Sequence, residues 1–196
     1  MKALTRTLAT LAALSFTGAA EAHPDITMEC HLLFHVEDGK VAGIGESWTF
    51  DETFSAQLLE DYDEDRDGTF SETETAAIRD ETFANLLPAH YFTYLTVDGH
   101  EIASPEPFGF RAMAEGGVVT FSFGMKLAEP VAPGSSRLGV EIKDTDFAVS
   151  AVMAPSEPLY IQGAPDGTCQ TELQDRPEHA YLGGLVVPKE ASIRCP

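Results

Sequence analysis

Residues 63–74 read Asp-Glu-Asp-Arg-Asp-Gly-Thr-Phe-Ser-Glu-Thr-Glu. Asp63, Asp65 and Asp67 recur at every second position, Gly68 follows at once, and Glu74 closes the run. That spacing is the calcium loop of an EF-hand, in which positions 1, 3 and 5 supply carboxylates. Position 6 is a glycine where the chain turns sharply, position 7 offers a backbone carbonyl and position 12 gives two carboxylate oxygens. Here those places fall to Gly68, Thr69 and Glu74, while Phe70 takes the apolar position 8 and Ser71 position 9. Calcium is a hard cation that takes six to eight oxygens, and the spacing gathers them around one point. The register is fixed: starting at Asp61 would put Arg66 where the glycine must stand. The expected ligand set is therefore Asp63, Asp65, Asp67, Thr69 and Glu74.

Two helices must hold such a loop. Phe54, Leu58, Leu59 and Tyr62 have helical spacing, with Asp51 or Thr53 as N-cap. A longer helix is expected over 72–87, stopped by Pro88. No second loop of this kind occurs. Asp144-Thr145-Asp146-Phe147 lacks the glycine and the distal glutamate. The hand is solitary, so Phe70 must pack against the rest of the chain or a partner.

Around this insertion the period is two. Ile26, Met28, Cys30, Leu32, Phe34 and Val36 alternate with Thr27, Glu29, His31 and His35, as in a half-buried strand. His31 and His35 share a face but lie roughly 13 Å apart along it, too far to bind one ion together. Ala42, Ile44, Trp48 and Phe50 form the next strand after an Asp38-Gly39 hairpin turn, and Glu46 falls on its apolar face. Further strands are expected over 91–97, 100–103, 108–114, 119–127, 138–142 and 147–153. Their turn signals have the spacing of an antiparallel sandwich. The fold class is α+β: an antiparallel β-sandwich-like domain over 23–196 with a helix–loop–helix insertion over 51–90.

The chain has 196 residues, ample for one buried core, and 43% of them are hydrophobic. With 32 acidic against 12 basic residues, the net charge of −20 repels phosphate backbones, so nucleic acid is not the expected partner. Residues 1–22 read as a cleaved signal peptide: Lys2 and Arg6, then an apolar stretch over 8–16, then Ala20-Glu21-Ala22. The apolar run is shorter than the ~20 residues of a membrane span, so no membrane insertion is expected after cleavage. The product would be exported to an oxidising compartment. Its first residue would be His23, whose imidazole and free amine together form a second candidate metal site for Ni²⁺, Co²⁺ or Zn²⁺. Of three cysteines, Cys30 lies on the buried face of its strand, leaving Cys169 and Cys195 to pair. Closing that loop contributes about 3 kcal/mol in the chain-entropy model. No nucleophile elbow, dinucleotide fingerprint, P-loop or zinc-type Cys/His cluster occurs, so an enzyme is not expected.

Several blocks carry a family resemblance: His23-Pro24, Trp48-Thr49-Phe50-Asp51 with Phe54-Ser55, Leu58-Leu59-Glu60-Asp61 before the acidic loop, and Tyr91-Phe92-Thr93 before Val97-Asp98-Gly99. With them the chain resembles exported bacterial proteins of unknown function labelled the periplasmic component of an uncharacterised ABC-type transport system. The resemblance implies a periplasmic location, a membrane transporter as partner, and the company of nickel or cobalt transport. That family often begins His-Pro-His, and here Asp25 stands in place of the second histidine. The resulting expectation is a periplasmic calcium-binding protein accessory to metal-ion transport or homeostasis. The alternative is transition-metal capture at the mature N-terminus, with a structural hand.

Overall fold

A computed structural model describes residues 24–196. The expected signal segment, residues 1–22, and the expected N-terminal metal site at His23 lie outside the described residues. The strands are β1 (Ile26–Glu37) and β2 (Lys40–Phe50), then β3 (Thr93–Val97), β4 (His100–Ile102), β5 (Pro107–Glu115), β6 (Val118–Val131), β7 (Leu138–Ile142), β8 (Val149–Met153), β9 (Leu159–Gln162), β10 (Gln170–Asp175) and β11 (Lys189–Arg194). Helices α1 (Glu52–Tyr62) and α2 (Glu72–Glu81) fall between β2 and β3, followed by a 3₁₀ stretch over Phe83–Phe92.

The strands make two sheets. One runs β5-β6-β2-β1-β8, with β9 also pairing β1; the other runs β10-β11-β7-β3-β4. Alternation in β1 and β2 sends Met28, Cys30, Leu32, Phe34, Ile44 and Trp48 into one shared core with Leu95, Leu138, Val140 and Ile193 of the other sheet. Asp38 (φ 50°) and Gly39 (φ 73°) are both left-handed, as a two-residue hairpin turn matched to strand twist requires.

Four expectations need correction. The first sheet is not wholly antiparallel: β8 and β9 both lie parallel to β1, in tandem along it. The helix expected over 72–87 ends at Glu81, and Pro88 sits inside the 3₁₀ stretch, which has lost the α ladder a proline would break. Strand β3 begins at Thr93, because His90, Tyr91 and Phe92 take positive φ. Likewise β8 begins at Val149, after Phe147 at φ 58°. Strands β10 and β11 lie in sequence that reads as polar and turn-rich, and β9 is a four-residue strand over Leu159–Gln162 outside the expected ones. Glu190 of β11 is nevertheless buried, paired with Arg137 at 2.9 Å and Arg176 at 2.5 Å. Opposite it in β7, buried Glu141 takes Lys143 at 2.6 Å and His179. Charge pairing lets acidic residues occupy covered strand positions.

Cys169 and Cys195 form a disulfide, and Cys30 is free and buried. Burial, with Glu46 and Glu29 nearby, pushes the Cys30 thiol well above its ordinary range. Non-reducing peptide mapping is expected to recover Cys169 joined to Cys195. Alkylation of Cys30 is expected only in denaturant; ready alkylation of the native protein would contradict its place in the core.

Candidate functional site

The acidic loop is held by its helix ends. Asp51 caps α1, accepting from the Thr53 and Phe54 amides at 3.0 Å, and its other oxygen accepts the Thr27 amide of β1. Buried Ser55 donates to the Phe50 carbonyl and accepts the Val119 amide at 3.0 Å, fixing α1 to β2 and β6. Leu58 and Ile78 are buried in the common core, and Phe70 packs against that core from the loop. Tyr62 and Thr82 hydroxyls meet at 2.7 Å, tying the end of α1 to the end of α2. Phe83 stacks among Trp48, Phe110 and Phe123. The solitary insertion is therefore rooted in the sheet rather than in a second copy of itself.

Within the loop, Asp63, Asp65 and Asp67 each bring a carboxylate oxygen within 4.8 Å of one another. Asp63 accepts the Asp67 amide at 3.1 Å and the Gly68 amide at 2.9 Å. Asp65 accepts the Asp67 amide at 3.2 Å. Those bonds need the sharp turn at Gly68, whose φ of +82° suits a residue without Cβ. Asp67 accepts both the hydroxyl (2.7 Å) and the amide (2.8 Å) of Thr69, which hold its carboxyl below the usual range.

Glu74 lies apart from that triad. One oxygen accepts the Ser71 amide at 2.7 Å while Ser71 caps the Glu74 amide, completing a capping box at the start of α2. The other accepts the Glu64 amide at 2.8 Å. Glu74 thus laces the first residues of the loop to its last. Hydrogen bonds from the Ser71 backbone and side chain, then the Glu64 backbone, hold its carboxyl low. All side-chain donors in the expected set are carboxylate oxygens, with neither thiol nor imidazole among them, as suits a hard cation.

A second acidic group belongs to the core, not the loop. Glu46 is 3% exposed and accepts from Trp48 Nε1 and from Thr93 Oγ1, each at 2.9 Å. It bridges the two sheets from β2 to β3. Burial, only partly offset by the Trp48 and Thr93 hydrogen bonds, raises its pKa to about 7. The sequence places Glu46 on the apolar face by parity, but its partner Thr93 is remote along the chain.

The fold and the site define a class: a two-sheet, mostly β protein whose sheet carries an acidic helix–loop–helix. Residues 8–182 match the model of DUF1007, a protein family of unknown function, and the chain belongs to that family. Among its relatives is an uncharacterised 15.5 kDa protein in the trpE 3′ region of Spirochaeta aurantia. It is 29% identical over 136 residues, covering 69% of this chain and 96% of that protein. An uncharacterised protein of Haemophilus influenzae is 23% identical over 186 residues, covering 92% of this chain and 88% of its own. No helix among the described residues is long and apolar enough to cross a membrane.

Proposed function

We propose that the protein is a periplasmic calcium-binding protein, accessory to metal-ion transport or homeostasis, with the ion held by the loop of residues 63–74. The observation that carries this reading is the convergence of Asp63, Asp65 and Asp67 ahead of a left-handed Gly68. Glu74 stands at the twelfth position of the loop, and Thr69 offers its carbonyl. Export is supported by the signal pattern of residues 1–22 and by the Cys169–Cys195 bond, which suits an oxidising compartment. The transport connection rests on the family resemblance.

The test is calorimetric titration of the exported chain with calcium and with magnesium. One calcium per chain is expected, with Kd of order 10⁻⁴ to 10⁻³ M, as in extracellular hands. Magnesium should bind more weakly, because it demands a tight octahedron and dehydrates reluctantly. A chain that gives no heat with millimolar calcium would defeat the reading.

A further inference from the structure

The outer face of the β5-β6-β2-β1-β9 sheet carries three transverse rows that strand register brings together. The middle row runs Tyr160, Leu33, Gly45, Gly124, Phe108, each residue directly opposite the next. On one side lies the row His31, Ser47, Ser122, Arg111. On the other lies Gln162, His35, Gly43, Lys126. At one strand spacing per step, the middle row extends about 19 Å. It forms a trough with two adjoining cavities of 400 and 520 Å³ that share Leu33 and Gly45. Its ends are aromatic: Phe108 is 60% exposed and Tyr160 is 44% exposed, the latter stacked on His31.

The glycines of the floor do not have the same cause. A Cβ at Gly43 would sit 2.6 Å from the Met125 carbonyl oxygen, so the fold itself excludes a side chain there. At Gly124 the Phe108 ring already fills the space, 2.7 Å from where a Cβ would stand. Gly45 is different. Its Cβ would meet Leu33 at 3.5 Å, an ordinary contact, and its φ is not in the left-handed region. Neither packing nor backbone explains a glycine in the middle of a strand, where it weakens the sheet. Its effect is to leave a hole between Leu33 and Phe108.

Charge gives the hole its partner. The chain carries −20 overall, yet the three rows contain no acidic residue and hold Arg111, Lys126 and two histidines, although Glu37 lines the far edge of the 400 Å³ cavity. Arg111 and Lys126 make no ion pair among the described residues, and Glu29 and Glu37 lie one row beyond on either side. Arg111 stands in one flanking row and Lys126 in the other, about 13 Å apart along the strands. The hole over Gly45 lies in the row between theirs, one strand beyond Lys126 and two beyond Arg111; Arg111 lines the 520 Å³ cavity and Lys126 the 400 Å³ one, each together with Gly45. An extended peptide presents same-face side chains every ~6.7 Å, so its residues i, i+2 and i+4 match the three rows.

We propose that this trough docks an extended segment of a partner protein with an acidic–x–apolar–x–acidic pattern. The apolar side chain enters the hole over Gly45, and the two carboxylates meet Arg111 and Lys126. This surface is independent of the calcium loop.

The probe is a capped, fluorescein-labelled peptide, Asp-Thr-Phe-Thr-Asp, followed by anisotropy on the purified protein. Saturable binding that weakens as salt rises is expected, because exposed charges are screened. Replacing the central Phe by Thr, or both Asp by Lys, should weaken it by roughly tenfold or more. Gly45→Val fills the hole in a position with room for Cβ, and should cause a similar loss with a melting temperature no lower than that of wild type. Arg111→Gln with Lys126→Gln should weaken binding and flatten its salt dependence. Equal binding by wild type and Gly45→Val, or no saturable binding by the wild type, would overturn the proposal. So would preference for an acidic oligosaccharide such as tetragalacturonate over the peptide.

Discussion

Raising the pH from about 4 to about 8 is expected to remove about 3 kcal/mol of the stability that protonated Glu46 gives the fold. Its carboxyl moves from an ordinary 4.5 to about 7 in the folded chain, and each unit is worth about 1.4 kcal/mol. Because the folded pKa is the higher one, the folded state holds the proton more tightly than the unfolded state. The contribution is therefore fully present below about pH 4.5 and is lost as pH rises through about 7. Other carboxylates run the opposite way: Asp51, for instance, is lowered, so it favours the fold as pH rises. The clean measurement is the stability difference between wild type and Glu46→Gln across that range. The substituted amide stays neutral throughout, so the difference should grow in the variant's favour and level off above about pH 7. Trp48 is the sole tryptophan and donates to Glu46. Its emission should titrate with a midpoint near 7 and lose that step in the variant. A flat emission profile in the wild type would contradict a neutral-range Glu46.

Calcium at about 100 times its Kd is expected to stabilise the folded chain by about 2.7 kcal/mol, raising the melting temperature by roughly 5–10 °C. Without the ion, Asp63, Asp65 and Asp67 face one another, with Glu60, Asp61, Glu64 and Glu72 close in sequence. Two positive charges relieve that repulsion. Glu74→Gln removes the carboxylate charge; its single carbonyl oxygen can accept the Ser71 amide and keep the capping box, but its NH2 cannot accept the Glu64 amide. The variant should melt somewhat below wild type in chelator, for want of the Glu64 bond, and lose most of the calcium-induced rise. If wild type melts identically in calcium and in chelator, the loop does not bind the ion under those conditions and the proposed function fails.

The loop was legible because all its donors lie on one continuous segment, where spacing alone places Asp63, Asp65 and Asp67. What spacing does not reveal is that Glu74 turns both oxygens to the Ser71 and Glu64 amides. The strands β1, β2, β6 and β7 were legible because alternation or apolar runs mark their buried faces. Strand β11 was not, because Glu190 and Ser192 are buried by pairing and hydrogen bonding rather than by apolar character, nor was β10, an edge strand with no buried residue. Pairing between β1 and its two parallel neighbours joins distant segments that no local pattern links. The trough over Gly45 is hidden for the same reason: its rows exist only across strands, never along one.

The place of β1 in its sheet also sets an order of events during synthesis. Ile26 lies opposite Val149, and Leu32 opposite Leu159. As the chain emerges from the ribosome, its first strand can pair with β2 at once, but one edge of β1 stays open until residues beyond 159 have been made. A sheet with so much sequence between partners closes slowly. Until then β1 exposes unpaired amides and carbonyls beside an apolar face, the kind of surface a holding chaperone recognises and aggregation exploits. Topology alone thus keeps the nascent protein from completing its fold early, holding β1 open until the last of its partners has been made.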